Sequence, residues 1–142
     1  MNFFDEILYT AKNLSFSPML VSSGCCGHEV TLAACSDCEE NSISAETFVN
    51  SPRHADLLII AGPVTHKSAS AIQKIYKQMP EPKYVLAVGN CACSGGFFES
   101  YSVIKGVDKI IPVDMFLPMC PPSKEEIFAA VKKLKSKVSS QN

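Results

Sequence analysis

Ala55 to Ala61 reads Ala-Asp-Leu-Leu-Ile-Ile-Ala, an almost unbroken apolar run with no polar alternation. A strand with one wet face alternates, so such a run needs cover on both faces, as in a parallel sheet. A second run, Lys83 to Val88 (Lys-Tyr-Val-Leu-Ala-Val), has the same character. Between them Ser68, Ile72, Ile75, Tyr76 and Met79 recur at helical spacing, and Pro80 and Pro82 stop that helix. Gly62-Pro63 closes the first run and Gly89-Asn90-Cys91 the second. Strand, helix and strand in this order predict an open, mostly parallel α/β sheet flanked by helices.

The remaining segments fit around that unit. Phe3, Phe4, Ile7, Leu8, Ala11 and Leu14 predict an amphipathic helix over residues 2–14, ended by Ser17-Pro18. Met19 to Ser22 reads as a first strand running into a turn, Gly24-Cys25-Cys26-Gly27. A helix is expected from Glu29 to Cys38, with Glu29 in its first turn, and a polar surface loop from Asp37 to Ser51. Lys109 to Val113 reads as a third buried strand, broken only by Pro112. Ser123 to Glu126 carries a capping box, and Ile127, Val131, Leu134 and Val138 give the last helix an apolar stripe. The organisation expected is an N-terminal helix over 1–17, one domain over 18–138 and a polar tail over 139–142. A chain of 142 residues buries a real core but leaves little room for a second domain. There is no internal repeat and no low-complexity segment.

Charge and composition narrow the function. Thirteen Lys+Arg against fourteen Asp+Glu give no basic surface for nucleic acid and no polybasic membrane anchor. The N-terminus is acidic within six residues, and no apolar run approaches the roughly 20 residues of a membrane span. The expectation is a cytosolic chain whose thiols stay reduced. It holds seven cysteines, an odd number that rules out complete internal disulfide pairing. Reduced cysteines in such number suggest metal.

Their placement sharpens this. Sites in open α/β sheets form beyond the carboxyl ends of the strands. Cys25 and Cys26 follow the first expected strand, Cys91 follows the second apolar run, and Cys120 lies in the loop after the third expected strand, in Pro118-Met119-Cys120-Pro121-Pro122. Four thiolates from three loops suit a [4Fe–4S] cluster, which needs Cys₄ ligation and tolerates irregular spacing. Gly24, Gly27, Gly89, Gly95 and Gly96 flank these cysteines, and glycine lets backbone N–H groups approach cluster sulfurs.

Other readings stand beside this one. Free cysteine often serves as a small buried hydrophobe, the favoured account of Cys93. Cys35 and Cys38 form a CxxC pair, the pattern of zinc or thioredoxin-like sites, but at a helix end and without a regular second pair. A zinc-stabilised binding module is the alternative from another class. His28 lies in the first cysteine loop, and His54 and His66 at the two ends of the Leu-Leu-Ile-Ile strand; each is equally well a structural histidine. Lys132, Lys133, Lys135 and Lys137 read as a solvated helix face.

Three motifs in order carry a family resemblance: tandem Cys25-Cys26 with Glu29, Gly89-x-Cys91-Ala92 followed by Gly95-Gly96, and Pro118-x-Cys120-Pro121-Pro122. With the segments around them, they make residues 18–135 resemble the 20 kDa subunit of complex I (NADH:quinone oxidoreductase). That family is homologous to the small subunits of membrane-bound [NiFe] hydrogenases. The resemblance implies a flavodoxin-like fold carrying the terminal [4Fe–4S] cluster of an electron-transfer chain, with Cys25, Cys26, Cys91 and Cys120 as ligands. It implies a large catalytic partner subunit holding the acceptor site, quinone in complex I and a nickel–iron centre in the hydrogenases. Other iron–sulfur and membrane subunits are implied too, with peripheral placement on the cytoplasmic side of the cell membrane through those partners alone. The chain departs from the pattern in three places. Ser36-Asp37-Cys38-Glu39-Glu40 stands where complex I subunits carry an Arg-rich stretch, Met119 replaces a glycine, and Ser23 stands where the hydrogenase Cys-x-x-Cys has its first cysteine.

Overall fold

The two apolar runs become neighbouring parallel strands at the centre of a four-stranded sheet. The computed structural model describes residues 16–36, 48–98 and 100–140. The helix expected over 2–14, most of the loop after the first helix, and Cys38 lie outside these residues. In chain order the elements are β1 (Pro18–Ser22), α1 (Gly24–Ser36), β2 (Leu57–Ala61), α2 (His66–Gln78), β3 (Tyr84–Val88), α3 (Asn90–Ser94), β4 (Met115–Leu117) and α4 (Lys124–Ser140). The strands lie in the order β1-β2-β3-β4, every pair parallel.

All five residues of β2 are buried. Leu57, Ile59 and Ala61 join Leu86 and Val88 on one face, under Val30, Ala33 and Ala34 of α1 and Ile127, Val131, Leu134 and Val138 of α4. Leu58 and Ile60 join Val85 and Ala87 on the other, under Ile72 of α2 with Val107 and Ile111. The unbroken hydrophobicity of both runs follows from this two-sided burial, which stabilises by about 1.5–3 kcal/mol per large side chain. On the outer edge of β1, the Val49 N–H donates to Pro18 O at 3.0 Å, whereas Ser17 O accepts from Asp56 on the β2 side at 3.1 Å. The backbone at Val49 therefore lies along the free edge of β1, opposite β2.

Helix ends follow local chemistry. Thr65 caps α2: its side chain accepts from Ser68 N–H while Ser68 Oγ accepts from Thr65 N–H. At α4 the expected box forms, with Ser123 N–H donating to Glu126 Oε2 at 2.8 Å and Glu126 N–H to Ser123 Oγ at 3.4 Å. That helix continues to Ser140, two residues into the expected tail.

Two expectations are corrected. Lys109 to Val113 is not a strand. Val107–Lys109 forms a 3₁₀ turn, the N–H groups of Ile110 and Ile111 both donate to Val107 O, and Pro112 has no N–H to offer a ladder. Ile111 is buried on the α2 side instead. The fourth strand begins after Asp114, whose N–H donates to Val85 O at 3.0 Å while its carboxylate accepts from Val85 N–H at 2.8 Å. The first helix also starts earlier than Glu29. It begins at Gly24, so Cys25 and Cys26 occupy its first turn, and that turn contains no acidic residue.

Candidate functional site

Three strands end and, three residues on, each delivers a cysteine: Cys25 after β1, Cys91 after β3 and Cys120 after β4. Hydrogen bonds tie these exits together laterally. Ser23 N–H donates to Ala61 O at 2.8 Å, Gly62 N–H to Val88 O at 3.2 Å, Gly89 N–H to Leu117 O at 2.8 Å and Asn90 N–H to Met119 O at 3.0 Å. The parallel ladder thus continues one step past the strands, into the turns that carry the thiols. A rigid scaffold holding functional groups on its loops is the usual architecture of such a site.

Close approach is allowed by missing side chains. Gly27 brings the start of α1 onto the Ser22 side chain, which a Cβ would overlap. Gly89 has φ +92°, and a Cβ there would overlap Cys26 Sγ. A Cβ on Gly96 would stand 3.1 Å from Cys91 Sγ. The amides of Gly89 and Gly95 donate to Leu117 O and Cys91 O, and Gly95 lies against Lys105.

The four thiols sense one another. Burial pushes the Cys26 thiol up from 9.0 to about 12, helped by Cys25, through its charge and a hydrogen bond, and by the charges of Cys91 and Cys120. Burial also raises the Cys91 thiol, with Cys120 and Cys25 adding to it. Cys26 and Cys91 are buried, Cys25 and Cys120 exposed, so the group has an inner and an outer side. Charge on the neighbouring thiolates adds to burial in disfavouring the charged forms of Cys26 and Cys91, and a bound polynuclear cation relieves that repulsion.

The donor set tests which group fits. It is all sulfur, the choice of zinc or iron–sulfur clusters rather than calcium or magnesium. A single zinc ion draws its thiolates to about 2.3 Å of one point. Among the described residues no group of three or more ligating side chains is gathered for a single ion. Four cysteines on three turns, with Cys26 and Cys91 each sensing the others electrostatically, match the Cys₄ donor set that an iron–sulfur cluster takes. Cys25, Cys26, Cys91 and Cys120 are the residues that could hold it.

The other cysteines stand apart. Cys93 packs half-buried against the α2-side core, its Sγ 3.7 Å from Ala87 O, and burial raises its thiol with a contribution from Asp108 but none from the four. Cys35 lies at the far end of α1, about 15 Å along the axis from Cys25. It is exposed and lines a cavity of about 360 Å³ with Met19, Leu20, Thr31, Ala34 and Phe48. His28, His54 and His66 are exposed, Glu29 is half-buried, and Lys137 of the basic helix face donates to Asp114 O at 3.1 Å.

Sequence reasoning passed over two features. Ser23 precedes α1 in a position that favours N-caps, but its hydroxyl donates to Ala61 O and Pro63 O. The loop after Gly96 exposes Phe97 at 88% and Tyr101 at 97%, and the adjacent aromatics in the sequence were the available signal.

The sequence profile of the family described as NADH ubiquinone oxidoreductase, 20 Kd subunit, matches residues 24–134. The chain belongs to this family. Its relatives include a NADH-quinone oxidoreductase subunit of Leptospira biflexa, 42% identical over 137 residues that cover 96% of this chain and 74% of the relative. The corresponding NADH-quinone oxidoreductase subunit of Heliobacterium modesticaldum is 44% identical over 139 residues, covering 97% and 79%. Among solved structures, that of an archaeal membrane-bound sulfane sulfur reductase superposes with a TM-score of 0.83 at 34% identity, covering 96% of this chain and 77% of the other. A NAD⁺-reducing [NiFe]-hydrogenase superposes with a TM-score of 0.60 at 17% identity, covering 87% and 92%, a likeness of fold. As a 20 kDa subunit family member the chain is a component of oxidoreductase type, as the pattern of cysteines and glycines implies. Among its described residues no helix is long and apolar enough to cross a membrane.

Proposed function

We propose that this chain holds one [4Fe–4S] cluster on Cys25, Cys26, Cys91 and Cys120 and is the electron-transfer subunit of a complex I-like oxidoreductase. In this reading it serves the acceptor site, a quinone, at a larger partner subunit. It works beside other iron–sulfur subunits and is kept peripheral, on the cytoplasmic side of the membrane, by membrane subunits. The observation that carries the reading is the convergence of three cysteine-bearing turns, tied by backbone hydrogen bonds, at one edge of a parallel sheet.

Each part of the chain has a task. The cluster, when bound, takes up and releases one electron at a time. Cys26 and Cys91 anchor its inner side within the protein, where burial excludes water. Cys25 and Cys120 hold the outer side, which faces solvent in the single chain and suits contact with a partner. Gly89 and Gly96 keep space beside the two inner sulfurs. Burial and the hydrogen bonds around the thiolates set the potential.

The test is iron content and electron paramagnetic resonance of the assembled complex. Cys91→Ser or Cys120→Ser is expected to abolish the signal of this cluster. Full iron with an unchanged spectrum in either variant overturns the ligand assignment.

A second reading keeps the cluster and changes the acceptor to a nickel–iron centre in the partner. The segment from Ser36 to Glu40, which lacks the Arg-rich stretch of complex I subunits, favours it. The partner's sequence decides: two CxxC pairs mean nickel–iron, and their absence means quinone.

A further inference from the structure

Ser23 makes an arrangement that neither the capping of α1 nor the core requires. Its N–H donates to Ala61 O at 2.8 Å, and its hydroxyl reaches Ala61 O at 3.1 Å and Pro63 O at 2.8 Å. A hydroxyl has one proton, so it is shared between two carbonyls of the turn that closes β2. The same turn is shaped around Ser23: Gly62, at φ +97°, has no Cβ, and one there would overlap the Ser23 carbonyl. Gly62 N–H donates in turn to Val88 O, one residue before Gly89.

The residue that follows Ser23 is Gly24, at φ +64°, and then comes Cys25. Glycine leaves the link between β1 and α1 with the most conformational freedom a chain can have. Cys26 is buried, whereas Cys25 is exposed. The hydroxyl of Ser23 adds a tie between the β1–α1 link and the exit of β2, beside the contacts of Cys26 with Gly89 and of Gly27 with Ser22.

We infer that Ser23 is a positioning residue for the thiolate pair: its hydroxyl, held on Ala61 O and Pro63 O, sets where Cys25 stands relative to Cys91 and Cys120. This rests on the cluster reading above. The hydroxyl is turned to the β2 exit, so position 23 orients the ligands and does not supply one.

The experiment uses the assembled complex with four variants: Ser23→Ala, Ser23→Thr, Cys91→Ser, and Cys25→Ser combined with Ser23→Cys. The readouts are the resonance spectrum and midpoint potential of the cluster, and the half-time of iron loss to bathophenanthroline. Ser23→Ala is expected to keep its iron but lose it about fivefold faster, the effect of one hydrogen bond, with altered g-values. Ser23→Thr, which retains the hydroxyl, is expected to restore the wild-type half-time and spectrum. Wild-type behaviour of Ser23→Ala overturns the inference. If Ser23→Ala does not assemble, Ser23→Thr with an altered spectrum overturns it and a wild-type spectrum supports it. The double variant is expected to stay without this cluster, and regaining it shows that position 23 faces the cluster, which also overturns the inference. Cys91→Ser separates the two levels. Its loss of the signal with an indifferent Ser23→Ala defeats this inference alone, and its retention of the signal defeats the cluster reading itself.

Discussion

Cys26 Sγ lies against the bare α-carbon of Gly89, in the space a Cβ on that residue would fill. The first turn of α1 and the turn from β3 into α3 therefore meet at a sulfur. Gly89 also donates to Leu117 O, which brings the exit of β4 into the same contact.

Gly89→Ala follows directly. The alanine meets Cys26 Sγ and must hold φ +92°, ψ 153°, a region essentially restricted to glycine. The backbone strain alone costs about 1–3 kcal/mol. The variant is expected to unfold at lower temperature and to purify with less iron than wild type. Unchanged iron content and melting temperature contradict the contact.

The thiols make the metal-free chain sensitive to alkali. The Cys26 thiol is raised in the folded state from 9.0 to about 12, chiefly by burial. A raised folded value means that its contribution to stability is full below pH 9 and is lost as the pH climbs from there toward 12. Anaerobic melting of metal-free protein is expected to show a falling midpoint above pH 9. Cys26→Ser is expected to flatten that decline, and an equal slope in both proteins refutes it.

Leu134 is 1% exposed, on the α4 stripe that covers β2 and β3. Leu134→Ala is expected to destabilise by about 2–5 kcal/mol through lost burial and a residual cavity. Urea unfolding of the metal-free protein measures it, and a change below 1 kcal/mol, roughly a surface effect, is the contrary result.

Ser123 and Glu126 close the capping box of α4 with bonds of 2.8 and 3.4 Å. Ser123→Ala is expected to cost about 1 kcal/mol with the cysteine-bearing turns unaffected. The check is a lower urea midpoint alongside an unchanged cluster spectrum. A changed spectrum means that α4 is coupled to the cysteine turns.

Much of this was legible along the chain. The runs at Leu57–Ala61 and Tyr84–Val88 state two-sided burial outright, because no other common environment tolerates strands without polar positions. The helix between them and the capping box at Ser123 depend on contacts three or four residues apart, which a linear reading captures. The error at Lys109–Val113 has the opposite origin. Ile110 and Ile111 look like strand residues, and whether they extend or turn was settled by Pro112 and by the bond between Asp114 and Val85, 29 residues away in sequence. The start of α1 at Gly24 was missed because Gly-Cys-Cys-Gly has turn-like local preferences that packing onto the sheet overrides.

By itself, then, the sequence determined a two-sided parallel sheet and the four cysteines that gather at its carboxyl edge, since hydrophobic periodicity and spacing from strand ends are local properties. Only the tertiary structure decided which of those cysteines are inside and which outside, that Gly89 and Gly96 yield space to sulfur, and that Ser23 clamps the turn before Cys25. Each of these depends on atoms brought together from different turns, and close packing and hydrogen bonding at that range leave no periodic trace in the chain.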